Sequence, residues 1–213
     1  MTTDYSYTAI AAFVPPPYRE KLADCSRVLG EKFKSWYILN EQEFPPHVTI
    51  WIAYVPTRNL EAIATTVQNA LSQIKPFEVS AGDAKIEDGG YIAIEVKVNE
   101  KLRALHNLLL DKLNTFREGY LSQKYVDTMH TFSQEQQESL KKFGTRAAGI
   151  LYAPHITVGI ASADAVSAIK QIIAPDLQRM SSIKFTTSEL VFFRQGKPGR
   201  SIEIIERFPL QVA

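Results

Sequence analysis

A single cysteine, Cys25, is all the thiol the chain has. One cysteine cannot close an internal disulfide, which excludes a small secreted fold stapled by bridges. No pattern around Cys25 marks a catalytic thiol, and a small residue on a helix accounts for it. Long hydrophobic runs are also missing. No stretch approaches the length of a membrane span. The apolar run Ala9 to Val14 is too short for a signal-peptide core and ends in Pro15-Pro16-Pro17. A cytoplasmic location and no membrane partner are expected. Charge of one sign is scarce: the formal net charge is +1, too little for a long grip on duplex DNA, although a small anion or the end of an RNA strand needs only a local patch. No glycine-rich loop cradles phosphates, and no His/Cys/Asp/Glu spacing fits a zinc or iron site. Neither a cofactor nor a metal is expected.

What is present is an ordinary globular composition, 45% hydrophobic and 22% charged over 213 residues. That length suits one domain over 1–213, with a monomer as the default state. Tyr5 to Val14 reads as a strand. Tyr18 to Phe33 reads as an amphipathic helix, and His47 to Val55, after Pro45-Pro46, as a strong strand. Leu60, Ile63, Val67, Leu71 and Ile74 repeat at helical spacing until Pro76. Strands are predicted over Phe77 to Ile86 and Tyr91 to Val98, around Asp88-Gly89-Gly90. A helical stripe then runs from Leu102 to Phe116. Glu118 to Ser133 has no clean period, and Gln134 to Phe143 reads as a short helix. His155 to Ile160 is a second strong strand. Ala163 to Ile173 reads as a helix ending at Pro175. Phe185 to Phe193 and Ser201 to Phe208 read as strands joined by Gln195-Gly196-Lys197-Pro198-Gly199.

The order repeats. After Pro46, and again after Pro154, the chain reads strand, helix, strand, glycine turn, strand. His47 precedes Gly89 by 42 residues and His155 precedes Gly196 by 41. This predicts an internal duplication with two similar lobes across a groove.

Each unit opens on the same motif, Pro46-His47-Val48-Thr49-Ile50 and Pro154-His155-Ile156-Thr157-Val158. Alternate strand residues share a face, so His47, Thr49, Trp51 and Ala53 are expected on one side, as are His155, Thr157, Gly159 and Ala161. Each strand then offers an imidazole and a hydroxyl roughly 7 Å apart. Two such strands meeting would suit phosphodiester chemistry. One imidazole accepts a proton while the other donates one, and the threonines hydrogen-bond non-bridging oxygens. A lone His-x-Thr is more often a structural strand histidine. The full flanking pattern, however, should accompany a given histidine on the order of once in ten thousand, and two of the four histidines carry it.

These motifs, 108 residues apart, resemble the two-histidine (2H) phosphoesterase superfamily, with its two His-x-Thr/Ser-hydrophobic motifs about a hundred residues apart. The resemblance runs from the Tyr5 strand to the Phe208 strand. It implies a bilobal α+β fold, with an antiparallel sheet and flanking helices in each lobe around a central cleft. It also implies that His47 and His155 are catalytic and that Thr49 and Thr157 bind phosphate. Members include 2′–5′ RNA ligases, cyclic phosphodiesterases and 3′-end RNA exonucleases.

Three functional readings follow: opening of a 2′,3′-cyclic phosphate on a nucleotide or RNA end, the reverse joining of RNA ends through a 2′–5′ linkage, and a non-catalytic module that binds nucleotides or RNA ends. Trp51 is a candidate to wall the cleft and stack on a base, or else covers a helix edge. Tyr152, just before the second motif, is a candidate to reach the ligand. Arg194, with Lys197 and Arg200 around the second turn, is a candidate phosphate contact if that turn folds over the cleft, and a solvated charge otherwise. Lys141, Lys142 and Arg146 form another basic group with the same default. His106 and His130 have no partner pattern and stay outside the expected site.

Overall fold

The computed structural model describes residues 4–211. Eight strands form two four-stranded antiparallel sheets, with helices against their outer faces. The strands are β1 (Tyr5–Phe13), β2 (His47–Pro56), β3 (Phe77–Ile86), β4 (Tyr91–Val96), β5 (His155–Ile160), β6 (Lys184–Thr187), β7 (Glu189–Gln195) and β8 (Ile202–Pro209). The first sheet runs β2-β1-β7-β8 and the second β5-β4-β3-β6. Both motif strands are therefore edge strands. The first sheet joins residues near the start of the chain to residues near its end, so the lobes are not consecutive halves. Each motif strand lies in the same sheet as the hairpin that belongs, by sequence order, to the other unit.

The helices are α1 (Tyr18–Phe33), α2 (Leu60–Leu71), α3 (Glu100–Leu113), α4 (Gln123–Thr128), α5 (Gln134–Phe143), α6 (Val166–Ile172) and α7 (Ala174–Met180). Asn99 caps α3 by accepting the Leu102 amide, and Ser133 with Gln136 forms a capping box on α5. The apolar faces of these helices and the outer faces of both sheets share one core, with Leu22, Leu29, Ile50, Trp51, Ile63, Leu102 and Phe192 essentially inaccessible. Fully burying one such side chain contributes about 1.5–3 kcal/mol.

Two elements differ from the sequence reading. Phe185 to Phe193 is not one strand. The chain crosses from the second sheet to the first at Ser188, where β6 pairs with β3 and β7 with β1. The Thr187 hydroxyl donates to the Glu189 carbonyl at 2.9 Å and fixes the corner. Pro175 does not simply end a helix. It sits in the first turn of α7, where a missing amide hydrogen costs no intrahelical bond. The aperiodic 118–133 stretch holds α4 and the single turn Met129–Thr131.

Both motif strands carry a bulge at the same place. Thr49 faces Ala11 across the β1 ladder and Trp51 faces Ile10, leaving Ile50 unpaired. Thr157 faces Ala93 across the β4 ladder and Gly159 faces Ile92, leaving Val158 unpaired. One extra residue reverses the parity of everything beyond it. Hence Trp51 and Gly159 turn into the core, and Ile52 takes the cleft face. A Cβ on Gly159 would come within 2.6 Å of Leu29 on α1, so helix and strand touch there. Gly90, at φ +86°, lies against the carbonyl of Ala161 and leaves no room for a side chain at the β3–β4 turn.

Candidate active site

His47, Thr49, His155 and Thr157 line one cavity of about 230 Å³ between the sheets. Its floor on β1 is small-residue strand around Ala9. Each motif threonine stands opposite an alanine across its ladder, Ala11 or Ala93.

The two histidines are held in the same way. His47 Nδ1 lies 2.8 Å from the carbonyl of Pro45, and His155 Nδ1 lies 2.9 Å from that of Ala153. A carbonyl only accepts, so both Nδ1 atoms carry hydrogen. Each Nε2 is then the atom left to gain or lose a proton. In both cases the acceptor sits two residues upstream, before the proline that starts the strand.

Their surroundings differ. Phe44, Phe193 and Phe13 ring His47 at centroid distances of 5.7, 5.3 and 6.3 Å. Desolvation among these rings lowers the His47 pKa, the Pro45 carbonyl opposes the shift, and positive charge on His155 adds to it. His155 is exposed at the mouth, with Tyr91 edge-on at 5.7 Å. Desolvation lowers its pKa too, the Ala153 carbonyl opposes, Lys85 and Arg146 lower it further, and Glu87 raises it. Positive charge on His155 disfavours charge on His47, so the pair resists holding two protons.

Sequence reasoning missed several cavity residues. Tyr91 shares a hydrogen bond with Thr157 at 2.7 Å and so orients that hydroxyl. Tyr37 also lies against Thr157, and burial raises its phenol pKa. Tyr37 and Phe44 come from the loop after α1, which crosses the free edge of β5. Ser35 accepts the Ile160 amide hydrogen at 3.0 Å, and the Trp36 amide donates to the Ile160 carbonyl at 3.2 Å. Tyr7, Phe193 and Gln195 complete the lining. The alternation of Tyr91 with Ala93, next to the second motif, was the available signal for Tyr91. The loop aromatics have no period to reveal them.

The remaining candidates lie elsewhere. Trp51 is 2% exposed in the core, because of the bulge, and does not wall the cleft. Arg194 also stays outside the cavity. It projects opposite to Phe193 and Gln195 and pairs with Glu203 at 2.6 Å. Lys197 and Arg200 line a separate surface hollow. Tyr152 does not line the cavity. Its hydroxyl donates to the Thr49 carbonyl at 2.9 Å and its ring stacks on His106 at 3.8 Å. His106, buried, donates from Nδ1 to the Ile50 carbonyl at 2.6 Å and accepts the Gly149 amide at Nε2. This pair ties the bulge of the first motif to the loop that leads into the second. Arg146, treated as a solvated charge from sequence, lines a groove of about 650 Å³ that continues from His155 past Lys85, Glu87 and Glu95. Burial pushes the Cys25 thiol up to about 11, with Asp176 and Asp24 adding to the shift, so it stays protonated. Among the described residues, no group of three or more His, Cys, Asp or Glu side chains comes together to hold a metal, and no helix is long and apolar enough to cross a membrane.

Two antiparallel sheets that share one cavity, each delivering a His-x-Thr edge strand to it, define the two-histidine phosphoesterase class. A family model described as the 2′-5′ RNA ligase superfamily matches residues 15–199, and the chain belongs to that superfamily. In backbone shape it is similar to E. coli LigT in its apo form (TM-score 0.57, 13% identity, 99% of this chain and 100% of that chain). It is similar to E. coli LigT complexed with 3′-AMP (0.58, 12%, 98% and 100%). It is also similar to TT0787 of Thermus thermophilus (0.59, 14%, 96% and 97%). At such identities the likeness is one of fold. No curated protein sequence matches the chain.

Proposed function

We propose that the chain is a metal-independent phosphodiesterase that opens a 2′,3′-cyclic phosphate, or a related phosphodiester, on a nucleotide or RNA end. The observation that carries this reading is the pair of imidazoles in one cavity, each tied at Nδ1 to a carbonyl and free at Nε2. One Nε2, unprotonated, removes a proton from water as its oxygen attacks phosphorus. The other, protonated, delivers its proton to the ribose oxygen as the P–O bond breaks. A phosphomonoester results, and the pair ends with one proton, as it began. Thr49 and Thr157 donate hydrogen bonds to the non-bridging oxygens, and Tyr91 sets the rotamer of Thr157. E. coli LigT, solved with phosphate and with 3′-AMP, shares this fold and lends support to a phosphate-bearing ligand here.

With the 5′-hydroxyl of a second RNA in place of water, the same two groups would join RNA ends through a 2′–5′ linkage: one Nε2 takes the hydroxyl proton as its oxygen attacks phosphorus, and the other protonates the departing 3′ oxygen. The family described as 2′-5′ RNA ligases favours keeping this second reading. The repeat seen in the sequence belongs to the same proposal: two copies of one unit, supported by bulges at matching positions.

The test uses nucleoside 2′,3′-cyclic phosphates and an RNA oligonucleotide with a cyclic end, in chelator, with products resolved by chromatography. The double variant His47→Ala/His155→Ala serves as control. A monophosphate from the wild-type chain alone supports the proposal. A joined oligonucleotide supports the second reading. Binding without any product favours a non-catalytic module.

A further inference from the structure

An RNA end held between the imidazoles has a strand attached, and that strand must leave the cavity. The side nearest His47 is closed by Phe13, Phe44 and Phe193. The groove beyond His155 carries Glu87 and Glu95, which repel a phosphate backbone, alongside Lys85 and Arg146. The third side is different. Tyr7 lines the cavity and faces Tyr54 across the β1–β2 ladder, their rings 4.6 Å apart. Tyr54 lies 5.9 Å from Tyr120, and Tyr120 stacks on Tyr5 at 3.8 Å and 18°. All four are half-buried. Tyr5 and Tyr7 alternate on one strand face, which makes the ridge roughly 7 Å long per strand step.

The ridge is built rather than incidental. Tyr120 follows the turn Asn114–Arg117, whose buried Arg117 donates to the Asn114 side chain and to the Lys142 and Tyr120 carbonyls at 2.8–3.0 Å. Asn59 donates to the Phe116 carbonyl and to Glu118, and Arg58 pairs with Glu118. The aperiodic stretch after Glu118 thus delivers a fixed aromatic ring to the end of the first sheet. Tyr91 and Tyr152 bond their hydroxyls to protein partners. Among the described residues no such bond holds the hydroxyl of Tyr5, Tyr7, Tyr54 or Tyr120.

From this geometry we infer that Tyr7, Tyr54, Tyr120 and Tyr5 form a track for the nucleotides on the 5′ side of the reacting phosphate, so that the preferred substrate is a single-stranded oligoribonucleotide and not a mononucleotide. A row of aromatic rings suits a single strand, because every base has a face to stack. The near-neutral net charge agrees with a short track rather than a long electrostatic channel. The inference rests on the proposed phosphodiesterase reading for the position of the reacting phosphate.

The experiment compares kcat/KM for a cyclic mononucleotide with that for di- and tetranucleotides bearing a 2′,3′-cyclic end, in the wild type and in Tyr54→Leu/Tyr120→Leu. The leucines keep apolar bulk, and circular dichroism checks the fold. The expected preference for the tetranucleotide is about ten-fold or more, from one or two stacked bases. It should fall by a similar factor in the tyrosine variant. Equal turnover of all lengths, or a preference untouched in the tyrosine variant, overturns the inference. If no cyclic substrate reacts, the phosphodiesterase reading fails by itself. The track is then read by anisotropy of a labelled 3′-phosphorylated tetraribonucleotide: binding weakened about ten-fold in the tyrosine variant upholds it, and binding that is absent or unchanged overturns it.

Discussion

Strands β2 and β5 present the same residues in the same frame. In each, the histidine opens the strand, the threonine stands opposite an alanine, and a bulge follows at once. The neighbour opposite the histidine is where they part: Phe13 faces His47, and Glu95 faces His155. From there the surroundings diverge into a ring of phenylalanines on one side and a mixed-charge groove on the other. Geometry is thus duplicated while electrostatics is not. Two chemically identical groups can take opposite halves of a proton transfer only if something other than their own chemistry distinguishes them.

The largest effect expected from breaking this comparison is loss of either imidazole. His47→Ala and His155→Ala should each lower kcat/KM on a cyclic phosphate about 10²–10⁴-fold with unchanged melting curves. A variant that keeps full turnover would show that its histidine plays no part. Next is the tie that the first motif has and the second lacks. Removing His106 breaks two buried hydrogen bonds and the stack with Tyr152, so His106→Ala should cost about 2–4 kcal/mol in chemical denaturation. A cost near zero would mean that the bulge holds its shape unaided.

The third prediction concerns acid. Burial lowers the pKa of His47, His106 and His155 below the ordinary value near 6.5. Below that value the unfolded chain takes up protons that the folded chain refuses. Stability should therefore be full above about pH 6.5 and erode as pH falls toward the folded pKa values. Thermal melts from pH 7.5 to 5 measure it, and a flat profile would contradict neutral burial. The smallest effect sharpens the contrast between the strands. Lys85 lowers the pKa of His155 and is not among the groups that shift His47. Lys85→Met should raise the His155 pKa alone, read by NMR titration of the imidazole protons. Equal movement of both would show that the two halves are electrostatically one.

Much of this could be read from the chain itself. The two motifs, the presence of their strands and the long helices follow from periods of 2 and 3.6. The parity change at Ile50 could not be read, because Ile50, Trp51, Ile52 and Ala53 are all apolar and either register buries something. That ambiguity is why plain alternation points Trp51 into the cleft. The crossing at Ser188 was hidden for another reason: Thr186, Thr187, Ser188 and Glu189 interrupt the run without a glycine or proline to mark a corner. Tyr37, Phe44 and Tyr120 lie in segments whose position depends on distant partners, such as Ile160 for the loop after α1 and Arg58 for Glu118. Local pattern carries no trace of such partners.

The strand order has a consequence for how the chain is made. β1 is an interior strand, paired on one side by β2 and on the other by β7. During synthesis β2 follows soon after, but β7 begins at Glu189. At roughly 5–20 residues per second the second side of β1 waits on the order of ten to forty seconds. Throughout that time Thr8, Ala9, Ile10 and Ala11 belong to a temporary edge, open to any other strand that arrives. A nascent chain of this protein is therefore most vulnerable to mispairing and to chaperone capture in the interval before β7 emerges from the ribosome.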